Sequence, residues 1–159
     1  MEKRSILIVD DDEMIRNLLM DFLHDLGYEV VSADSGGDAL KKFAPETYDL
    51  VISDLVMPDI NGIELLKELL KKDSQLLFFL ITGYPTLETA VQAIKAGAYD
   101  YIVKPFNFDD LRIKVERALM TRHLKSSLKK LSGVLWAVII SVPIWIILGI
   151  VLGIVWKHH

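Results

Sequence analysis

Between Ser5 and Val103 the chain alternates short β-branched and leucine-rich runs with segments whose apolar positions recur every three or four residues. The runs at Ser5 to Val9, Glu29 to Ala33, Leu50 to Ser53, Leu76 to Ile81 and Tyr101 to Val103 predict strands. The intervening periodicity predicts helices over Glu13 to Leu26, Ser35 to Ala44, Gly62 to Lys72 and Thr86 to Ala96, with another starting near Asn107. Gly27 and Gly97 follow the first and fourth helices, where a left-handed residue ends a helix at least cost. Strands alternating with helices predict a parallel sheet covered on both faces, and five such units in about 120 residues make a doubly wound α/β domain.

After Asn107 the spacing of Leu111, Val115 and Leu119 continues into Leu124, Leu128 and Leu131, interleaved with Arg117, Arg122, Lys125, Lys129 and Lys130. We expect a domain over residues 1–121 and a basic helical stalk over 122–132. Residues 133–156 then form an uncharged stretch of 24, and 157–159 a short tail. At about 1.5 Å per residue the uncharged stretch is long enough to cross a bilayer as one helix. Fifteen Ile, Leu or Val residues lie between Val134 and Val155, with Trp136 and Trp156 near the two ends. They contribute on the order of −6 kcal/mol to insertion, with no charge opposing them. Pro143 would break a soluble helix, whereas membrane helices accommodate it. Five Lys/Arg precede the stretch from Arg117 to Lys130 and only Lys157 follows, which orients the preceding domain toward the cytoplasm. Gly149 and Gly153 form a GxxxG pair suited to close approach of two helices, hence to a homodimer.

Charge follows the same division. All 22 acidic residues but only 12 of the 18 Lys+Arg fall within residues 1–116, leaving that part at −10 and the remainder at +6. An acidic body argues against nucleic acid as its direct partner. The chain has no cysteine, which excludes disulfides, thiolate metal sites and a cysteine nucleophile. The first residues, MEKRSILIVDDDE, lack the shape of a signal peptide.

In a doubly wound sheet, ligands bind beyond the carboxyl ends of the strands. Those ends carry Asp10, Asp11 and Asp12 after the first strand, Asp54 after the third, Thr82 after the fourth, and Lys104 with Pro105 after the fifth. Gathered carboxylates repel unless a cation joins them, and a hard oxygen set suits Mg²⁺. A lysine and a hydroxyl on the same rim can take up phosphoryl oxygens, so the pattern points to phosphoryl transfer onto a carboxylate.

ILIVDDDE, LVISDLVMPDINGIELL, FFLITGY and AYDYIVKPF resemble the receiver domain of bacterial two-component response regulators, over about residues 4–120. The resemblance implies a flavodoxin-like sheet of order 2-1-3-4-5. It implies Asp54 as phosphoacceptor, Asp11, Asp12 and Asp54 with the Val56 carbonyl as Mg²⁺ ligands, and Thr82 and Lys104 as contacts to the phosphoryl oxygens. Tyr101 matches the family's aromatic switch, and the Lys104–Pro105 bond its cis peptide. Asp10 reads as structural, holding its neighbours. The implied partners are a sensor histidine kinase or histidine phosphotransfer protein and an output protein. With the apolar stretch, the implied location is the bacterial inner membrane, single-pass, with the receiver in the cytoplasm.

Two other readings fit fewer residues. A haloacid dehalogenase-like phosphatase would use Asp10 and Asp12, but Met14 interrupts its motif and Asp54 goes unexplained. A membrane-tethered scaffold or phosphate sink would keep the pocket without driving output. No DNA-binding or catalytic output segment is expected among these residues, so the signal passes to a partner.

Overall fold

The computed structural model describes residues 4–122. Five parallel strands, β1 (Ser5–Val9), β2 (Glu29–Ala33), β3 (Leu50–Asp54), β4 (Leu77–Thr82) and β5 (Asp100–Val103), form one sheet in the order β2-β1-β3-β4-β5. Between them run α1 (Glu13–Asp25), α2 (Gly36–Lys42), α3 (Gly62–Lys72) and α4 (Leu87–Ala96). A fifth helix, α5, covers residues 108–122 within the described part. This is the expected doubly wound, flavodoxin-like sheet.

Alternating strand residues feed two cores. Leu7, Val9, Val51, Phe78 and Leu80 pack against Ala39 of α2, Leu65, Leu66 and Leu69 of α3, and Ala93 of α4. Ile6, Ile8, Leu50, Ile52, Phe79, Ile81 and Ile102 point the other way, onto Leu19 and Leu23 of α1 and Leu111, Val115 and Leu119 of α5. A strand buried on both faces needs apolar residues at every position, which is why β1, β3 and β4 read as continuous runs instead of alternating ones.

Side-chain oxygens set the helix starts: Asp12 for α1, Ser35 for α2, Asn61 for α3 and Thr86 for α4 each accept backbone N–H groups of the first turn. Gly27 and Gly97 have φ of 88° and 104°, the left-handed conformation expected of them. Helix α2 stops at Lys42, two residues before the expected Ala44, because Phe43 turns to an extended conformation and buries its ring against Tyr48.

The chain divides into two compact units, Met1–Leu119 and Met120–His159. Of the expected stalk (122–132) only Arg122 is described, while the membrane segment (133–156), the tail (157–159) and the Gly149/Gly153 pair lie outside the described residues. Among the described residues no helix is long and apolar enough to cross a membrane.

Candidate functional site

The register of the sheet delivers one end of every central strand to a common rim. Asp10 follows β1 directly, Asp54 is the last residue of β3, Thr82 the last of β4, and Lys104 follows β5. Lys104 reaches back across the rim: its Nζ lies 2.6 Å from Asp54 Oδ1 and 3.0 Å from Asp10 Oδ2. The backbone holds Lys104 in place, because its N–H donates to the Thr82 carbonyl at 2.7 Å and the following bond to Pro105 is cis, as the resemblance implied.

The remaining oxygens of the two carboxylates are also engaged. Asp54 Oδ2 accepts the Val56 N–H at 2.8 Å, and Asp10 Oδ1 accepts the Asp12 N–H at 2.9 Å. Asp54 is 8% exposed, Asp10 3%, and the Thr82 side chain is fully enclosed. The Thr82 hydroxyl accepts the Tyr84 N–H at 3.1 Å. Beneath the site, Gly62 leaves the space that a side chain would take from Asp54: a Cβ there would come within 2.4 Å of the Asp54 carbonyl oxygen.

Burial pushes the Asp10 carboxyl above the usual carboxylate range, only partly offset by the Asp12 N–H and by Lys104. For Lys104, burial acts to lower the pKa, but the two carboxylates outweigh it and hold the ammonium above its ordinary value. The lysine is therefore charged throughout the neutral range and lies between two carboxylates.

The expected site residues are thus partly brought together. Asp54, Lys104 and Thr82 meet on one rim. Asp12, expected among the metal ligands, has its Oδ1 on the start of α1, accepting the N–H groups of Met14 at 2.8 Å and Ile15 at 3.3 Å. Asp10, read from sequence as holding its neighbours, does hold the Asp12 N–H, but its other oxygen also enters the Lys104 pair. The sequence carries the signal for this arrangement, since an aspartate followed by Glu13 and a periodic apolar segment is an N-cap. Asp11 is exposed beside them. Tyr101 is half-buried, and its hydroxyl lies 2.9 Å from Thr89 Oγ1 of α4.

No group of three or more His, Cys, Asp or Glu converges on a single metal position among the described residues. The carboxylates on the rim, those of Asp10 and Asp54, nevertheless offer only oxygen, and Asp11 is next to Asp10 in the chain. That chemistry fits a hard divalent cation.

Residues 6–116 match the family described as "Response regulator receiver domain". The chain is 39% identical to Regulatory protein AtoC of Escherichia coli (strain K12) over 126 residues, 79% of this chain and 27% of that protein. It is also 39% identical to Transcriptional regulatory protein ZraR of Salmonella typhimurium over 142 residues, 89% of this chain and 32% of the relative. The chain therefore spans about a quarter to a third of the length of these curated relatives. Among solved structures, the response regulator receiver domain protein (CheY-like) from Methanospirillum hungatei has a TM-score of 0.75 at 36% identity, covering 78% of this chain and 99% of that one. Response regulator protein TrrA from Thermotoga maritima, solved in complex with Mg(2+)-BeF, has a TM-score of 0.66 at 42% identity, covering 72% and 98%. Receiver domains are phosphorylated on an aspartate by sensor histidine kinases and bind Mg²⁺ for that reaction. Agreement of family match, relatives and neighbouring structures over the same stretch makes the chain a member of the response regulator receiver family of two-component systems.

Proposed function

We propose that Asp54 accepts a phosphoryl group from the phosphohistidine of a sensor histidine kinase or histidine phosphotransfer protein. The observation that supports this is the Lys104 ammonium held between Asp54 and Asp10 at 2.6 and 3.0 Å on the carboxyl-end rim. An Asp54 carboxylate oxygen attacks phosphorus, the N–P bond breaks with its electron pair returning to the imidazole, and an acyl phosphate forms. Lys104 then turns from its carboxylates to the phosphoryl oxygens, and the Thr82 hydroxyl exchanges the Tyr84 N–H for the same group. This draws on the loop between β4 and α4 and, by resemblance, on Tyr101.

Asp11 and Asp54 with the Val56 carbonyl would hold Mg²⁺, joined by Asp10 in place of Asp12, whose Oδ1 caps α1. When bound, the ion neutralises charge building on the phosphoryl oxygens. Incubation of the protein with a labelled phosphodonor and Mg²⁺ should label wild type and leave Asp54→Asn unlabelled; equal labelling of both overturns the assignment.

The sequence beyond residue 122 supports a second part of the reading. Residues 133–156 anchor the receiver to the cytoplasmic face of a bacterial inner membrane, and Gly149 and Gly153 offer a surface for pairing two anchors. The phosphorylated receiver then acts on an output partner close to the membrane.

A further inference from the structure

The start of α4 is built around two threonines instead of the usual threonine and acid. The Thr86 hydroxyl accepts the Thr89 N–H at 3.0 Å, while the Thr89 hydroxyl accepts the Thr86 N–H at 3.2 Å, closing a capping box. The Thr89 hydroxyl does more than its half of the box requires: it donates to the Thr86 carbonyl at 3.1 Å and meets the Tyr101 hydroxyl at 2.9 Å. A threonine has one proton and two lone pairs. The Thr86 hydroxyl also stands 2.9 Å from the Thr89 hydroxyl, so the N–H, hydroxyl and carbonyl of Thr86 and the hydroxyl of Tyr101 share that one proton and those two lone pairs.

We propose that Thr89 is the positioning residue for Tyr101, fixing the orientation of its ring so that it cannot turn without weakening the cap of α4. The coupling extends to the phosphorylation rim through three intervening residues. At one end of the loop, the Thr82 hydroxyl accepts the Tyr84 N–H; at the other, Thr86 is the cap that Thr89 shares with Tyr101. The Thr82 hydroxyl and the Tyr101 ring are thus held at the two ends of one loop, the ring through Thr89 and the cap of α4. This gives the regulation of the site proposed above and rests on that reading for its biological meaning, although the Thr89–Tyr101 bond itself exists without phosphorylation.

The test uses the full-length protein in detergent micelles, with tyrosines carrying ¹³C at the ε positions and amide exchange followed over the α4 N-terminus. The Tyr101 signal is identified by its loss in Tyr101→Phe. Tyr101→Phe changes no group of the capping box, yet it should raise amide exchange at Thr86 and Thr89 about fivefold, the effect of losing one neutral hydrogen bond. Thr89→Val should shift the Tyr101 signal more than any other tyrosine signal, and Thr89→Ser should return it to the wild-type position. Unchanged α4 exchange in Tyr101→Phe, or a Tyr101 signal that Thr89→Ser does not restore, overturns the proposal. Tyr101→Phe alone decides the matter if Thr89→Val does not fold. Adding Mg²⁺ and beryllofluoride as a phosphoryl mimic separates the two levels. No change that depends on Asp54 would defeat the phosphorylation reading and leave the Thr89 result standing.

Discussion

Three adjacent aspartates with identical chemistry do three different jobs, and backbone direction decides which does what. Asp10 follows β1 and points into the rim, Asp11 is exposed, and Asp12 is the last non-helical residue before α1, where its Oδ1 meets N–H groups of the first turn. Composition alone could not separate them, whereas Asp54, Thr82 and Lys104 were legible because each is the only residue of its kind at its strand end. Asp12→Asn keeps a good N-cap and should leave Mg²⁺ affinity within about twofold, while Asp10→Asn should weaken it at least about tenfold by calorimetry. The same Asp10 variant has a second signature. Its raised folded-state pKa means that, as pH rises from 3.8 to that value, the unfolded chain loses this proton first and the native state loses relative stability. Asp10→Asn should therefore be more stable than wild type at pH 7 in urea titration. The gain should vanish below the unfolded-state value.

The elements most faithfully read from sequence were those with a continuous apolar run or an unbroken helical period. Strands β1 and β2 and helix α3 have their expected bounds, β3 and β5 each differ by one residue at one end, and β4 is shifted by one residue at both ends. Helix α2 was overextended because Lys41, Lys42 and Phe43 continue a helical pattern that burial of the Phe43 ring interrupts, a tertiary effect absent from local spacing. Its beginning also depends on a distant residue. Asp59, in the loop after β3, accepts the Gly37 N–H at 2.6 Å and the Gly36 N–H at 3.2 Å, and a Cβ on Gly36 would strike Ile60 at 2.3 Å. The loop that leaves Asp54 is thereby fastened to α2. The Gly37 N–H, followed by that of Ile60, holds the Asp59 carboxyl below its ordinary range. Its contribution is present above pH 3.8 and is lost as pH falls through the lower folded-state value. Asp59→Ala should cost about 1 kcal/mol at pH 7 by denaturant titration, with the difference from wild type closing in strong acid.

At the scale of the whole molecule, an acidic receiver of net charge −10 over residues 1–116 is joined to a segment of net charge +6. The uncharged run within that segment motivates a direct test of membrane anchoring. The full chain should sediment with membranes and resist alkaline carbonate extraction. Ile147→Arg with Leu148→Arg, costing about 3 kcal/mol each at the centre of a bilayer, should release it. Wild-type protein in the carbonate supernatant would defeat the anchor.

The Lys104 contacts with Asp10 and Asp54 join residues 94 and 50 positions apart, on strands that are not neighbours of β5. Such a clasp can close only after β4 has been laid between β3 and β5, which predicts that it forms late in folding. In stopped-flow measurements, Lys104→Met should speed unfolding and leave refolding nearly unchanged; slower refolding in proportion to the lost stability would place the clasp in the nucleus. If the clasp forms late, the chain acquires its phosphate-accepting chemistry as the final event of folding. A partly folded receiver then has no assembled site with which to draw phosphate from a kinase.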